Sequence, residues 1–320
     1  MKKVNLLILG NSNFLQRRVI SSLNKINKID YKICSKSRKN KNVFFSNYTE
    51  ALKSEPDIVY ISLVNHLHFK YAKIALNKGL HVIVDKPLAP KLHQVKELIK
   101  IAKKKNLLIS EATLFNYHSV FRKINSLIGG NKNLRFIQSN FTIPQKKTLK
   151  QIELTLSDCF MDMSPYASSL IRLYLDSKVE YLTFFNEKFK NSKSIKNFYI
   201  LAKNSKTKYF GNFAVGREYL SQIIFMSEKK IVYLDFQAFA LPSNKKIKIM
   251  LKENNKFKNI YINKDDSIKN YFKEILSAIN KKRFNKFYNI ALNDSKIKSM
   301  IIQSKKKLNY EVKYYNSCLQ

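Results

Sequence analysis

The sequence predicts an α/β protein: a doubly wound parallel sheet, followed by an α+β half with a mostly antiparallel sheet. Three observations carry this. Up to about residue 118, short apolar runs alternate with helical stretches, the pattern of βαβ units joined by right-handed crossovers. Beyond that point strands come in bunches with few helices between them, which reads as antiparallel pairing. A length of 320 residues suits about two domains, and 45% hydrophobic residues are ample for buried cores. The expected division is residues 1–118 and 119–320.

The first strand covers residues 4–9, an apolar run that stops at Gly10. Residues 14–24 place Leu15, Val19, Ile20 and Leu23 at helical spacing. A second strand is expected at 31–34, a short helix at 49–54 and another strand at 57–63. Residues 68–75 form a helix with Ala72 and Ala75 on one face, which Gly79 ends. A strand at 81–84, a helix at 93–104 and a strand at 107–111 complete the alternation. The second half opens with a helix at 121–127 and a Gly129-Gly130 turn. Strands follow at 135–143, 179–186, 197–202, 211–215, 222–226, 231–236 and 246–251. Helices at 162–175 and 268–279 interrupt or close them, and a helix at 292–305 precedes a short strand at 309–314. With neither an internal repeat nor a low-complexity linker, the halves are expected to share a tight interface, the C-terminal helix packing back on the first domain.

The formal net charge is +38, from 60 Lys and Arg against 22 Asp and Glu. Charge of that sign often marks a nucleic-acid binder. Here 52 lysines stand against 8 arginines, and arginine is the usual bidentate base reader. The lysines are spread along the chain, and no aromatic–basic platform accompanies them. A solvated basic surface that attracts anionic substrates is the better reading. Cys34, Cys159 and Cys318 lie far apart and form no CxxC, which fits a reduced, cytoplasmic protein without a zinc site. The opening MKKVNLLILG has too short an apolar run for a signal peptide. No run of about 18 apolar residues exists, so no membrane span is expected.

The densest signal is residues 57–90, DIVYISLVNHLHFKYAKIALNKGLHVIVDKPLAP. A buried-looking strand runs into Asn65-His66-Leu67-His68. A second apolar strand delivers Asp85-Lys86-Pro87 at its carboxyl end, the edge of an open α/β sheet where ligands bind. The first turn, Gly10-Asn11-Ser12-Asn13-Phe14-Leu15, keeps one glycine of the G-x-G-x-x-G dinucleotide fingerprint. Ser12, which can donate to a phosphate, and Leu15 take the other two places. A plain strand-to-helix turn would read the same way. Arg17 and Arg18 follow, where they could meet a pyrophosphate or simply face solvent. No acid stands between Tyr31 and Glu50 to bind a ribose 2′-hydroxyl. Ser35, Ser37 and Arg38 suit a 2′-phosphate instead, so NADP is preferred over NAD.

Residues 57–90 strongly resemble the Gfo/Idh/MocA oxidoreductases, whose hallmark there is Glu-Lys-Pro after an Ala-x-x-x-Gly-x-His-Val run. Asp85 stands for the glutamate. The resemblance covers roughly residues 1–310 and is specific at 57–90 and 160–175. Asn65 and His68 match the family's Pro-Asn-x-x-His turn beside the nicotinamide, with Val64 for the proline; helix capping is the other reading of His68. Residues 111–118, Glu-Ala-Thr-Leu-Phe-Asn-Tyr-His, resemble Glu-Ala-x-x-x-Arg-x-His at the domain crossover, with Asn116 for the arginine. Phe160-Met161-Asp162-Met163-Ser164-Pro165-Tyr166 resembles the helix start Asp-x-Gly-x-His or Asp-x-Gly-x-Tyr that supplies the acid–base residue.

The resemblance implies a Rossmann domain and hydride transfer between NADP or NAD and a hydroxyl or ketone of a sugar, cyclitol or nucleotide-sugar, as in surface-glycan synthesis. It implies Lys86, Asp162 and Tyr166 as catalytic. Cofactor contacts are expected from Gly10, Ser12, Asn13, Phe14, Ser35, Arg38, Leu63, Asn65, His68, Asp85, Lys86 and Glu111. No metal is expected, and the second sheet is expected to form a homo-oligomer. Asp162 and Tyr166, four apart, share a helical face, although helix-end electrostatics alone would explain Asp162 and core packing Tyr166. A Lys86 ammonium beside Tyr166 is expected to lower the phenol's pKa from about 10 and make it a base. The alternative is a catalytically silent nucleotide-binding partner or sensor, favoured by the degenerate glycine turn and Asn116.

Overall fold

The computed structural model describes residues 3–36, 43–144, 159–175, 179–190 and 192–304. The first sheet has six strands: β1 (Val4–Leu9), β2 (Ile29–Cys34), β3 (Val43–Phe45), β4 (Ile58–Ile61), β5 (His81–Asp85) and β6 (Ile109–Ala112). Their order is β3-β2-β1-β4-β5-β6, and every neighbouring pair is parallel. This is the doubly wound order, with its switch point between β1 and β4. Parallel strands covered on both faces need apolar residues throughout, and Leu6–Leu9, residues 58–61 and 82–84 are all buried.

Gly10 ends β1 at φ +107°, and a Cβ there would lie 2.1 Å from the Ser62 carbonyl oxygen. The helix that follows opens with a π-turn, Leu15–Val19, and continues as Ile20–Leu23. The turn widens at Leu15, which fills the place of a fingerprint glycine and is fully buried. The next long helix spans Asn65–Asn77, earlier than the expected start, so Asn65 and His68 sit in its first turn.

The second sheet joins β7 (Leu134–Ile143), β8 (Tyr181–Lys188), β9 (Ile195–Lys203), β10 (Lys208–Val215), β11 (Leu220–Ser227), β12 (Lys230–Leu234), β13 (Ile247–Glu253) and β14 (Lys256–Ile262). Its order is β14-β13-β12-β11-β7-β10-β9-β8. All pairs are antiparallel except β7 with β10. β14 and β3 escape sequence reading. β14 is a mostly exposed edge strand without an apolar face, formed by a hairpin whose Asn254 and Asn255 both take positive φ. β3 has only three residues. The expected strand at 309–314 lies outside the described residues.

The helix Cys159–Tyr174 lies under this sheet, and Ser267–Lys281 and Asn285–Ser304 follow it. Tyr271, Phe272, Phe287 and Tyr288 of the last two belong to the core of the first sheet. Ile297 and Ile301 belong to the second core, so the final helix ties both together. Arg18 adds a polar tie, donating to the carbonyls of Ala240 (3.2 Å) and Leu241 (2.6 Å).

Gly10→Ala is expected to cost more than the roughly 1–3 kcal/mol of one strained residue, because the new Cβ must displace β4. A denaturant midpoint equal to that of the parent would show that the turn accommodates a side chain.

Candidate active site

The carboxyl end of β5 presents Asp85 and Lys86, and the Lys86–Pro87 peptide is cis. The Lys86 side chain crosses from the first domain to the first turn of Cys159–Tyr174. Its ammonium donates to the Asp162 carbonyl oxygen at 2.6 Å and to the Asp162 carboxylate. Pro165 interrupts the amide ladder of that turn, where Lys86 enters. One helical turn after Asp162, the Tyr166 ring lies under the same ammonium, 5.0 Å from ring centroid to nitrogen. The structure thus brings the three expected catalytic residues together.

Burial pulls the Lys86 pKa down, but Asp162, Tyr166 and Asp85 together outweigh it and leave it raised. Lys86 is therefore an ammonium throughout the working range. Tyr166 departs from expectation. Burial raises its pKa most, Lys86 opposes, and Asp162 and Asp85 add to the rise; the net direction is up. The phenol is held protonated, an acid rather than a base. Phe239 (5.0 Å), Phe141 (5.2 Å) and Phe115 (5.7 Å) fix its ring, one from each of three segments. A cavity of about 370 Å³ opens on these groups and is also walled by Phe14, Leu63, Asn65 and Ala240.

The other expected contacts divide. Asp85 lines the cavity, but its carboxylate is taken up behind it, accepting from the Tyr60 hydroxyl and from Ser62 Oγ at 2.6 Å. Ser12 Oγ sits 3.3 Å from Ser62 Oγ and accepts from the Leu15 amide at 3.0 Å. Its hydroxyl therefore serves the turn, where a phosphate contact was expected. His68 is fully buried, with Nδ1 2.7 Å from the Pro87 carbonyl oxygen and Nε2 2.9 Å from that of Leu63. It lies between the two cavity-forming loops, one facing each ring nitrogen, and lines the cavity. Glu111 accepts from the Leu88 amide (2.6 Å) and Thr113 Oγ1 (2.9 Å), bracing the loop after Pro87. Ser35 is buried at the end of β2, its amide on the Phe45 carbonyl at 2.9 Å. Asn13 and Phe14 are exposed beside the Gly10 turn. Ser37 and Arg38 lie outside the described residues. Arg18 points to Ala240 and Leu241, not to the turn where a pyrophosphate contact was weighed. Asn116 donates to Ser169 Oγ at 2.6 Å, away from the cavity.

Sequence reading missed Tyr60, Ser62, Phe141 and Phe239. The first two had a signal, hydroxyls inside an otherwise apolar strand; the two phenylalanines had none apart from the sheet register. Among the described residues no cluster of His, Cys, Asp or Glu could hold a metal ion. No described helix is long and apolar enough to cross a membrane. If His68 is a staple, His68→Ala should lower stability with no ligand present, by about 1–3 kcal/mol for a buried carbonyl left unpaired. Chemical denaturation of the ligand-free protein checks this, and an unchanged midpoint would remove the staple.

Residues 13–113 match the model of an oxidoreductase family with an NAD-binding Rossmann fold, Gfo/Idh/MocA. Among curated proteins, dTDP-3,4-didehydro-2,6-dideoxy-alpha-D-glucose 3-reductase of Streptomyces violaceoruber is 31% identical over 96 residues, 29% of this chain and 28% of that protein. D-xylose 1-dehydrogenase (NADP(+)) 2 of Haloferax volcanii is 28% identical over 123 residues, 37% of this chain and 38% of its own length. The match thus spans less than half of these relatives. Among solved structures, KijD10, a 3-ketoreductase from Actinomadura kijaniata in complex with TDP-benzene and NADP, superposes with a TM-score of 0.86 at 16% identity, covering 95% of this chain and 98% of that one. UDP-N-acetylglucosamine 3-dehydrogenase GnnA from Acidithiobacillus ferrooxidans gives 0.78 at 14% identity, covering 96% and 99%. At such identities these two establish the two-sheet fold. Residues 13–113 are thus similar to the dinucleotide-binding domain of the Gfo/Idh/MocA oxidoreductases.

Proposed function

We propose that this chain is an NADP-dependent oxidoreductase that reduces a ketone on a nucleotide-linked sugar to the alcohol. One observation carries the reading: the Lys86 ammonium held between the Asp162 carboxylate and the Tyr166 ring, at the carboxyl ends of the parallel strands. The residues present fit a dinucleotide. The Gly10 turn leaves no room for a side chain, enters a helix at the β1–β4 switch point, and runs on to Leu63, Asn65 and Lys86 in one cavity. When bound, the nicotinamide supplies hydride; the protein supplies geometry and proton handling.

A ketone oxygen beside Lys86 gains negative charge as its carbon is reduced. Lys86 stabilises that charge through a charge-assisted hydrogen bond. Tyr166, protonated because burial outweighs the nearby ammonium, donates its proton to the same oxygen. Asp162 keeps Lys86 charged and aimed. Reduction calls on this protonated form of the tyrosine. Two relatives named above, a dTDP-sugar 3-reductase and a 3-ketoreductase in complex with TDP-benzene and NADP, support the substrate class and the cofactor, as does the basic surface. Glycan-precursor synthesis is the setting we favour. Cys34 and Cys159 are buried, and a reducing cytoplasm is the compartment we favour. The face of the second sheet opposite the site carries Phe185, Leu201, Tyr199 and Phe210, of which the first two are plainly exposed. That face would join two copies.

NADPH should bind more tightly than NADH, and Arg38→Ala should narrow the gap by about 1.5–3 kcal/mol. Parallel titrations decide this, and equal affinities in the parent, unchanged by the substitution, count against a 2′-phosphate reader here. Tyr166→Phe should keep NADPH affinity and thermal stability while turnover on a nucleotide-linked ketosugar drops roughly 10²–10⁴-fold. The raised phenol pKa sets the pH dependence: the acid is present through neutral pH and is lost only as pH climbs through its raised value. Parental turnover should therefore fall on the alkaline side alone, and near-parental turnover in the Phe variant would remove Tyr166 from the reaction.

A further inference from the structure

We infer that Tyr219 and Phe236 form the subsite for the nucleobase of the substrate. This rests on the nucleotide-linked reading above. Strand register decides which side chains of the second sheet face the cavity. Phe141, a cavity wall, pairs with Phe213 of β10 and Ser221 of β11. Tyr219, two residues before Ser221, therefore shares their side. On β12, Leu234 pairs with the buried Ile223 on that same side, and Phe236 lies two residues further. The segment after β12 follows β11 closely: the Ala238 amide donates to the Ser221 carbonyl at 3.1 Å, and the Phe239 amide to Ser221 Oγ at 3.2 Å.

Tyr219 thus stands on the cavity side of the sheet yet is 40% exposed, and Phe236, in the bend that follows β12, is 60% exposed, where Phe213 and Phe225 are fully buried. They are continuous with the site. Tyr219 packs edge-on against Phe141, with centroids 6.5 Å apart and planes at 90°, and Phe236 sits three residues before the cavity wall Phe239. Exposed aromatic surface joined to a pocket marks a ligand groove. Arg18 is anchored on the carbonyls of the cavity wall Ala240 and of Leu241, and lies close enough to Tyr219 to interact with it electrostatically.

The occupant must be flat, present a π-face, and be tethered through anionic groups to a sugar small enough for the cavity. A nucleobase on a diphosphate meets all three. The cofactor's own adenine would lie at the end of β2, beyond the Gly10 turn, so it does not compete for these rings.

The test uses the full-length protein saturated with NADPH and titrated with dTDP and with UDP. Tyr219→Ala and Phe236→Ala should each weaken the tighter of the two by about ten- to a hundredfold, the range that base–aromatic stacking gives on alanine substitution. Tyr219→Phe should keep parental affinity, since the ring and not the hydroxyl does the stacking. NADPH affinity should not change in any of the three. Unchanged nucleotide affinity in both alanine variants overturns the subsite. So does a parent protein that binds NADPH but neither dTDP nor UDP. A parent that fails to bind NADPH speaks against the proposed function itself, a different outcome read in a separate titration.

Discussion

A single ammonium group joins the two sheet-bearing halves of the fold at the point where chemistry is possible. Lys86 leaves the end of a buried parallel strand and finds its partners, the Asp162 carboxylate and carbonyl, on a helix of the other domain. An ammonium in a partly closed site is costly unless paired and hydrogen-bonded, so the pair constrains how the domains sit. Three further polar ties follow the same seam. Arg18 reaches the loop that carries Phe239. Lys298 of the last helix, buried, donates to the Ala89 carbonyl at 3.0 Å. Arg172 donates to Asp294 at 2.6 Å between two helices. The Asp294 carboxyl is pushed up to about 7 by burial, against the pull of Arg172. Breaking such a pair costs about 3–5 kcal/mol through the charge it leaves behind.

Behind Lys86 stands a second layer of hydrogen bonds. Ser12, Ser62, Asp85 and Tyr60 join the first turn, the end of β4 and the end of β5. A carboxylate one methylene shorter than glutamate suits this arrangement, since its partners are side chains of the adjacent strand. His68 and Glu111 fix the loops on either side through backbone groups. These residues act on the chemistry through geometry and field: Asp85 helps raise both Lys86 and Tyr166.

The same field explains why proximity to a cation does not make Tyr166 a base. Its ring is packed among three phenylalanines, and losing water around the phenolate outweighs the favourable Coulomb term from an ammonium that Asp162 already neutralises in part. Tyr60, buried beside Asp85, is pushed up further by the same causes without opposition from Lys86.

Local patterns in the chain determined much. Apolar runs of four to six residues, closed by Gly10 in one case and by the Asp85-Lys86-Pro87 step in another, predict the parallel strands, because a strand covered on both faces leaves no other composition. The four-residue spacing of Asp162 and Tyr166 placed both on one helical face, because 3.6 residues per turn permits little else. Only the tertiary structure decided what these groups do together. Sequence could propose that Lys86 meets Tyr166, but the balance between burial and charge depends on Phe115, Phe141 and Phe239, which arrive from distant segments. Ser12 and His68, expected at a phosphate and at the nicotinamide from their places in a motif, also make internal hydrogen bonds that the motif does not announce. A polar side chain bonds whichever buried group lies nearest, and that neighbour is set by strand order and register. An exposed aromatic such as Tyr219 carries no pattern of its own; the pairing of β11 with β7 puts it beside Phe141, on the side of the site.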